Sequence, residues 1–147
     1  MMRGEREPGQ REDYLWLTSH TTRWNDNDSY GHMNNAVHYQ LFDTTVNAWL
    51  HRAGLRSAAD FSVNLVVESG CRYHSELRFP SEIVAGLRIG RLGSSSVRYE
   101  IGLFDAAAEV AAAEGFLVHV RVDHLSRRPQ PLDDAVRDTM RRLIKQA

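Results

Sequence analysis

Cysteine is nearly absent from this chain. Cys71 stands alone, which excludes an intramolecular disulfide and points to a reducing compartment. No apolar stretch approaches the ~20 residues that a membrane helix needs. The opening "MMRGEREPGQRED" lacks the apolar segment of a secretory signal. Charge of one sign is not in excess either: the net charge of -1 gives no overall attraction for nucleic acid or an acidic membrane surface, so any anion site must be a local cluster. Internal repeats, low-complexity tracts and an interdomain linker are also missing. The expectation is therefore one cytoplasmic domain with neither a membrane nor a nucleic acid as partner. At 147 residues the chain is long enough for a single core. Residues 1–12, rich in charge with Gly and Pro, read as a flexible lead, and 13–147 as the domain.

What is present falls into an ordered series. "YLWLTSHTTRW" (14–24) places aromatic and Thr residues at period two and predicts a strand. From Met33 or Asn34 to Arg52 the period becomes helical. Met33, Val37, Leu41, Thr45 and Ala48 form one stripe, which Phe42, Val46, Trp49 and Leu50 widen, so this helix is expected to be covered on most sides. Asn34 and Asn35 suit its start, and His51, Arg52 and Gly54 its end. A loop follows near "LRSAADFS". Beyond it, Tyr73, Ser75, Leu77 and Phe79 alternate with charged residues as in a strand, up to Pro80. "IVAGLRIGRL" and "SVRYEIGLF" flank a turn at "GSSS". In "AEGFLVHVRVDH", Phe116, Val118, Val120 and Val122 read as one apolar face. "DAVRDTMRRLIKQ" predicts a short amphipathic helix with Val136, Met140, Leu143 and Ile144 inward. Helix and strands are segregated, which argues for an α+β fold: a long central helix wrapped by a curved antiparallel sheet of about five strands, plus a C-terminal helix.

The densest polar chemistry, "RWNDNDSYGHMNNAVHY" (23–39), sits at the mouth of the long helix. Calcium does not fit: the EF-hand position that needs a bidentate Glu is Val37, and no helix precedes the loop. A transition metal is disfavoured because His32 and His38 are six apart and lie on different helix faces. A polar turn capping a helix accounts for Asn25 to Ser29 and for Asn34. It does not account for a cluster this polar beside so apolar a helix, where such groups are either satisfied or used.

Strand, "NDNDSYGHMNNAVHY" and long helix together resemble the hotdog-fold acyl-CoA thioesterases of the 4-hydroxybenzoyl-CoA thioesterase type. The motif D-x-D-x-x-G-H-x-N-N falls on Asp26, Asp28, Gly31, His32, Asn34 and Asn35, and the likeness, with its "LGSSS" turn, spans roughly residues 13–130. The first Asp varies in that family; Asp28 matches its catalytic carboxylate. The resemblance implies hydrolysis of an acyl-CoA, or another acyl-carrier thioester, without cofactor or metal, by a homodimer that often pairs again to a homotetramer.

Thioester hydrolysis needs a carboxylate to attack the carbonyl or to activate water, and donors for the developing oxyanion. Asp28 is assigned the first task, as base or nucleophile. Backbone N–H groups around Gly31, His32 and Met33, at the positive end of the helix, are assigned the second. His32 is a further catalytic candidate. Asn34 either orients water or substrate or is a plain N-cap. Tyr30 and His32 are placed at the acyl pocket, and Asn35 is a further substrate-binding candidate. Glu68 is either hydrogen-bonded structure or a contributor from a subunit interface. Arg88, Arg91 and Arg98, flanking Gly93, Ser94, Ser95 and Ser96, are assigned to CoA phosphates, with Arg127 and Arg128 as further candidates; each alternatively occupies a solvated strand position. Cys71 is read as a small core thiol. Two alternative readings of the chain stand beside hydrolysis: an enoyl or hydroxyacyl thioester hydratase, whose D-x-N-x-x-H spacing this loop lacks, and an acyl-CoA-binding subunit without turnover.

Overall fold

The computed structural model describes residues 7–55 and 62–145. Five strands form one antiparallel sheet: β1 (Trp16–His20), β2 (Ser62–Tyr73), β3 (Ile83–Leu92), β4 (Ser96–Asp105) and β5 (Ala113–Asp123), in the order β1-β3-β4-β5-β2. Helix α1 (Asn35–Arg52) lies on one face of the sheet, and α2 (Asp134–Arg141) follows the last strand. This is the hotdog architecture anticipated from the loop and helix. No helix among the described residues is long and apolar enough to cross a membrane.

The core is the layer between α1 and the sheet. Phe42, Val46, Trp49 and Leu50 of α1 meet Ile83, Ala85, Leu87 and Ile89 of β3, and Val97, Tyr99, Ile101 and Leu103 of β4. Gly115 makes room for this contact, because a Cβ there would overlap the Phe42 ring. On the opposite face Tyr14 lies flat over the backbone of Gly86 and Gly102, where an added Cβ would come within 2.6 Å of its ring. Met140 carries the buried side of α2, and buried Leu143, just past its end, ties the C-terminal segment to β3 through its carbonyl, which accepts the Ile89 N–H at 2.8 Å.

Several expectations need correction. Helix α1 is covered on one side only: Ala36, Tyr39, Gln40, Asp43 and Thr44 are exposed in the single chain. The first strand stops at His20, since the Asp26 carboxylate accepts the Arg23 N–H at 2.8 Å and folds Trp24–Asp26 into a short 3-10 turn. The alternation at 73–79 is not a strand. β2 ends at Tyr73, the N–H groups of His74 and Ser75 both donate to the Ala112 carbonyl, and the chain turns so that Leu77 is buried. On β5 the core side carries Leu117 and His119, whereas Phe116, Val118 and Val120 alternate to the other face and are only half-buried, Phe116 under Arg98; of the expected face Val122 alone is buried. Of the lead expected at 1–12, residues 9–12 are engaged: the Ala111 N–H donates to the Gly9 carbonyl and Arg11 Nη2 to the carbonyls of Asp105 and Ala106. Most of the loop expected near 55–62 (residues 56–61) lies outside the described residues, as do residues 1–6 of the lead.

Candidate active site

The loop before α1 is folded by its own carboxylates. Buried Asp26 takes the backbone and guanidinium N–H groups of Arg23, with Nη2 at 2.8 Å, and its carbonyl accepts the Asn34 N–H at 2.8 Å. Asp28 begins a tight turn: its N–H donates to the His32 carbonyl at 2.8 Å, and its Oδ1 accepts the Tyr30 N–H at 2.9 Å and the His32 N–H at 3.3 Å. Both side-chain bonds fall on Oδ1, so Oδ2 has no hydrogen bond among the described residues. Gly31 closes the turn with φ +81, a conformation that favours glycine. Asn34 then caps α1, its side-chain oxygen accepting the Ala36 N–H at 2.9 Å.

A cavity of about 290 Å³ opens at this point. Asp28, His32, Met33 and Asn35 line it from the loop and helix start, His38 from the first turns of α1, and Tyr73 to Leu77 from the segment after β2. The ring of buried His38 meets the edge of Tyr73 at 4.7 Å between centroids, and the Tyr73 hydroxyl donates to the Asn35 carbonyl at 3.2 Å. His32 Nε2 stands 2.9 Å from Glu76 Oε2, which Arg78 Nη2 also approaches at 3.5 Å. Among the described residues no cluster of side chains has the make-up of a metal site.

Burial sets the titration of several neighbours. It holds His38 below the ordinary histidine value, opposed in part by the carbonyls of Asn34 and Asn35. His20 is lowered by burial as well, with its Nε2 2.9 Å from the Thr45 hydroxyl. A base whose folded pKa is depressed stabilises the fold fully above its unfolded value near 6.5, and that contribution is lost as pH falls toward the folded value. The melting temperature is therefore expected to fall between pH 7 and pH 5, and His20→Gln to flatten that decline; an unchanged slope in His20→Gln rules out His20 as its source. Burial pushes the Cys71 thiol up to about 11, in keeping with a core thiol and not a nucleophile.

The structure brings Asp28, His32, Met33 and Asn35 together and separates the others. The Gly31 N–H donates to the Asp28 carbonyl, the His32 N–H to Asp28 Oδ1, and the Met33 N–H to the Leu77 carbonyl at 2.7 Å. The three expected oxyanion donors are thus occupied inside the chain; the Asn35 N–H, at the first position of α1, has no acceptor within the helix. Tyr30 is 83% exposed and lies outside the cavity lining. Glu68 is exposed beside a bulge in β2.

Arg88 and Arg98 both donate to Glu100, at 2.9 and 3.2 Å, and with Arg72 line a second cavity of about 380 Å³ roofed by Tyr14 and Phe116. Arg91 is exposed, as are Arg127 and Arg128. Gly93, Ser94 and Ser95 make the β3–β4 hairpin, and their carbonyls accept Arg137 Nη1 and the N–H groups of Leu132 and Arg121. Leu103 pairs with Ala113 and so with Tyr73 beside the first cavity, while the hairpin lies seven residues away along β4, roughly 23 Å at ~3.3 Å per residue. Within one chain, then, the hairpin is far along β4 from the first cavity, whereas Arg88 and Arg98 line the second cavity, whose Glu114 stands 3.3 Å from His74 of the first. Sequence reasoning weighed His38 only as a metal donor and missed Tyr73, His74, Ser75 and Glu76, whose one signal was a strand-like alternation that in fact marks the cavity wall.

Comparison with known proteins agrees with this architecture. The thioesterase-like superfamily model matches residues 22–140. The PA5185 protein of Pseudomonas aeruginosa strain PAO1 is 43% identical and superposes with a TM-score of 0.89, covering 97% of this chain and 99% of its own. The PA2801 protein of Pseudomonas aeruginosa, described as a proposed thioesterase, is 30% identical with a TM-score of 0.78, over 86% of this chain and 98% of its own. At 13% identity, a 1,4-dihydroxy-2-naphthoyl-CoA thioesterase from Synechocystis shares the fold, with a TM-score of 0.77 over 84% of this chain and 93% of its own. A search of curated proteins finds no match. With the family model matched from just after β1 into α2, and with a 43% identical relative superposing over nearly the whole chain, the chain belongs to the thioesterase-like superfamily.

Proposed function

We propose that the protein hydrolyses an acyl-CoA to free acid and thiol, with Asp28 as general base or nucleophile. One observation carries this: Asp28, with no hydrogen bond to Oδ2 among the described residues, shares a cavity with the N-terminus of α1. A thioester carbonyl set between them meets a carboxylate on one side and, on the other, the Asn35 N–H at the positive end of the helix dipole. The Oδ1 bonds to Tyr30 and His32 hold the carboxylate, while Oδ2 does the chemistry. Asn34 serves as the cap that ends the turn, which leaves Asn35 the better-placed donor of the two. The test is to follow thiol release and, in parallel, enoyl absorbance on saturated and unsaturated acyl-CoAs. Thiol release supports hydrolysis; loss of the enoyl absorbance with no thiol overturns it in favour of hydration.

The reading includes a homodimer. β2 is an edge strand of 12 residues, and Leu65, Val66 and Val67 on it are exposed. Long apolar edges are usually paired. Pairing β2 with its copy would continue the sheet across two subunits and bring Glu68 to the interface. The parent is expected to sediment as a dimer or a tetramer, and Val67→Lys to shift it toward the 16.8 kDa monomer. A monomeric parent contradicts this part of the reading.

A further inference from the structure

The His32–Glu76 pair is not explained by fold stability, since partly exposed ion pairs contribute little. The two side chains are 32% and 59% exposed and come from different segments, the loop before α1 and the turn after β2. Both line the cavity that holds Asp28. With Nε2 facing Glu76, the other ring nitrogen, Nδ1, has no hydrogen-bond partner among the described residues. A carboxylate on one imidazole nitrogen fixes which nitrogen is left to act. The other charged or titratable groups around the pair are Asp28, His38, His74, Tyr73 and Arg78. Among the described residues the His32 ring makes its ion pair with Glu76, while Asp28 meets the His32 backbone N–H at 3.3 Å.

We propose that His32 donates the proton to the leaving thiol and that Glu76 is the positioning residue that holds it for the task. This rests on the thioesterase reading. Water adds to the carbonyl carbon as Asp28 takes one of its protons. When the tetrahedral adduct collapses, the C–S bond breaks and its electron pair goes to sulfur. The Nδ1 proton of the imidazolium moves to that sulfur, leaving a neutral imidazole whose Nε2–H stays on Glu76. The carboxylic acid departs, and the proton held by Asp28 recharges the imidazole through solvent. No other reactant is needed.

The test compares two thioesters of whichever acid the parent hydrolyses fastest, one of CoA and one of thiophenol. An alkyl thiolate leaves poorly without a proton, whereas an arenethiolate, being less basic, leaves readily. His32→Gln is expected to lose about a hundredfold in kcat on the CoA ester, within the range for a general acid, and about tenfold less than that on the thiophenyl ester. Glu76→Ala is expected to show the same preference with a smaller loss. The double variant is expected to lose no more than His32→Gln alone, because the two act as one unit. Thermal melts check that both variants fold. Equal losses on the two esters, or additive losses in the double variant, overturn the proton-donor role and leave hydrolysis by Asp28 standing. A parent inactive on both esters overturns the thioesterase reading itself, and this proposal with it.

Discussion

Asp28→Asn is expected to lower kcat by a hundredfold or more, about 2.7 kcal/mol of barrier. The substitution is informative because of how the turn is built. Asparagine keeps an oxygen at the Oδ1 position, so it still accepts the N–H groups of Tyr30 and His32. What changes is Oδ2, where an uncharged amide nitrogen replaces the oxygen assigned to take the proton or attack the carbonyl. The loop should therefore keep its shape and the protein its melting temperature to within about 2 °C, while the chemistry is lost. Steady-state thiol release and a thermal melt on the same preparation check both halves. Turnover within twofold of the parent would remove Asp28 from the mechanism.

Phe42→Ala is expected to cost about 3–5 kcal/mol of stability, the largest effect foreseen on the fold. Phe42 is fully buried, its ring fills the slot over Gly115, and it packs edge-on to Tyr39 at 5.8 Å. Removing it leaves a void between α1 and the sheet at the contact that joins the two layers. That is a sizeable share of the 5–15 kcal/mol typical of a whole domain, and a drop in melting temperature of roughly 10 °C or more follows for a chain of this size. Urea and thermal unfolding measure it. A drop below about 3 °C would mean that α1 is not held by this contact. Gly115→Ala approaches the same contact from the sheet side and is expected to destabilise as well, because its methyl would overlap the ring.

These two expectations mark what could be read in advance. The long helix, its cap at Asn34 and its end near Gly54 were legible because helical period and capping chemistry are local. So was the "GSSS" hairpin. Asp28 was legible as a motif, but its hydrogen bonds were not. The Oδ1 bonds to Tyr30 and His32 are local but follow from the detailed geometry of the turn, and the capture of the Met33 N–H by Leu77 depends on a segment 44 residues further along the chain. The same holds for the cavity wall. Tyr73 to Leu77 alternate like a strand, yet capture of two N–H groups by the Ala112 carbonyl bends them across the mouth of α1. The arginines expected at phosphate show the same limit: Arg88 and Arg98 are near neighbours in the sheet, but that both donate to Glu100 and line a cavity other than that of Asp28 was not in the strand period. Strand period indicates which residues share a face, not which end of the sheet holds the chemistry.

The most direct measurement is thiol release by the purified protein from short, medium, long and aromatic acyl-CoAs, with the free acid quantified in the same reaction. The account predicts that at least one ester is cleaved catalytically and that thiol and acid appear one for one. Failure to release thiol from any of them, while the same esters bind, would contradict it.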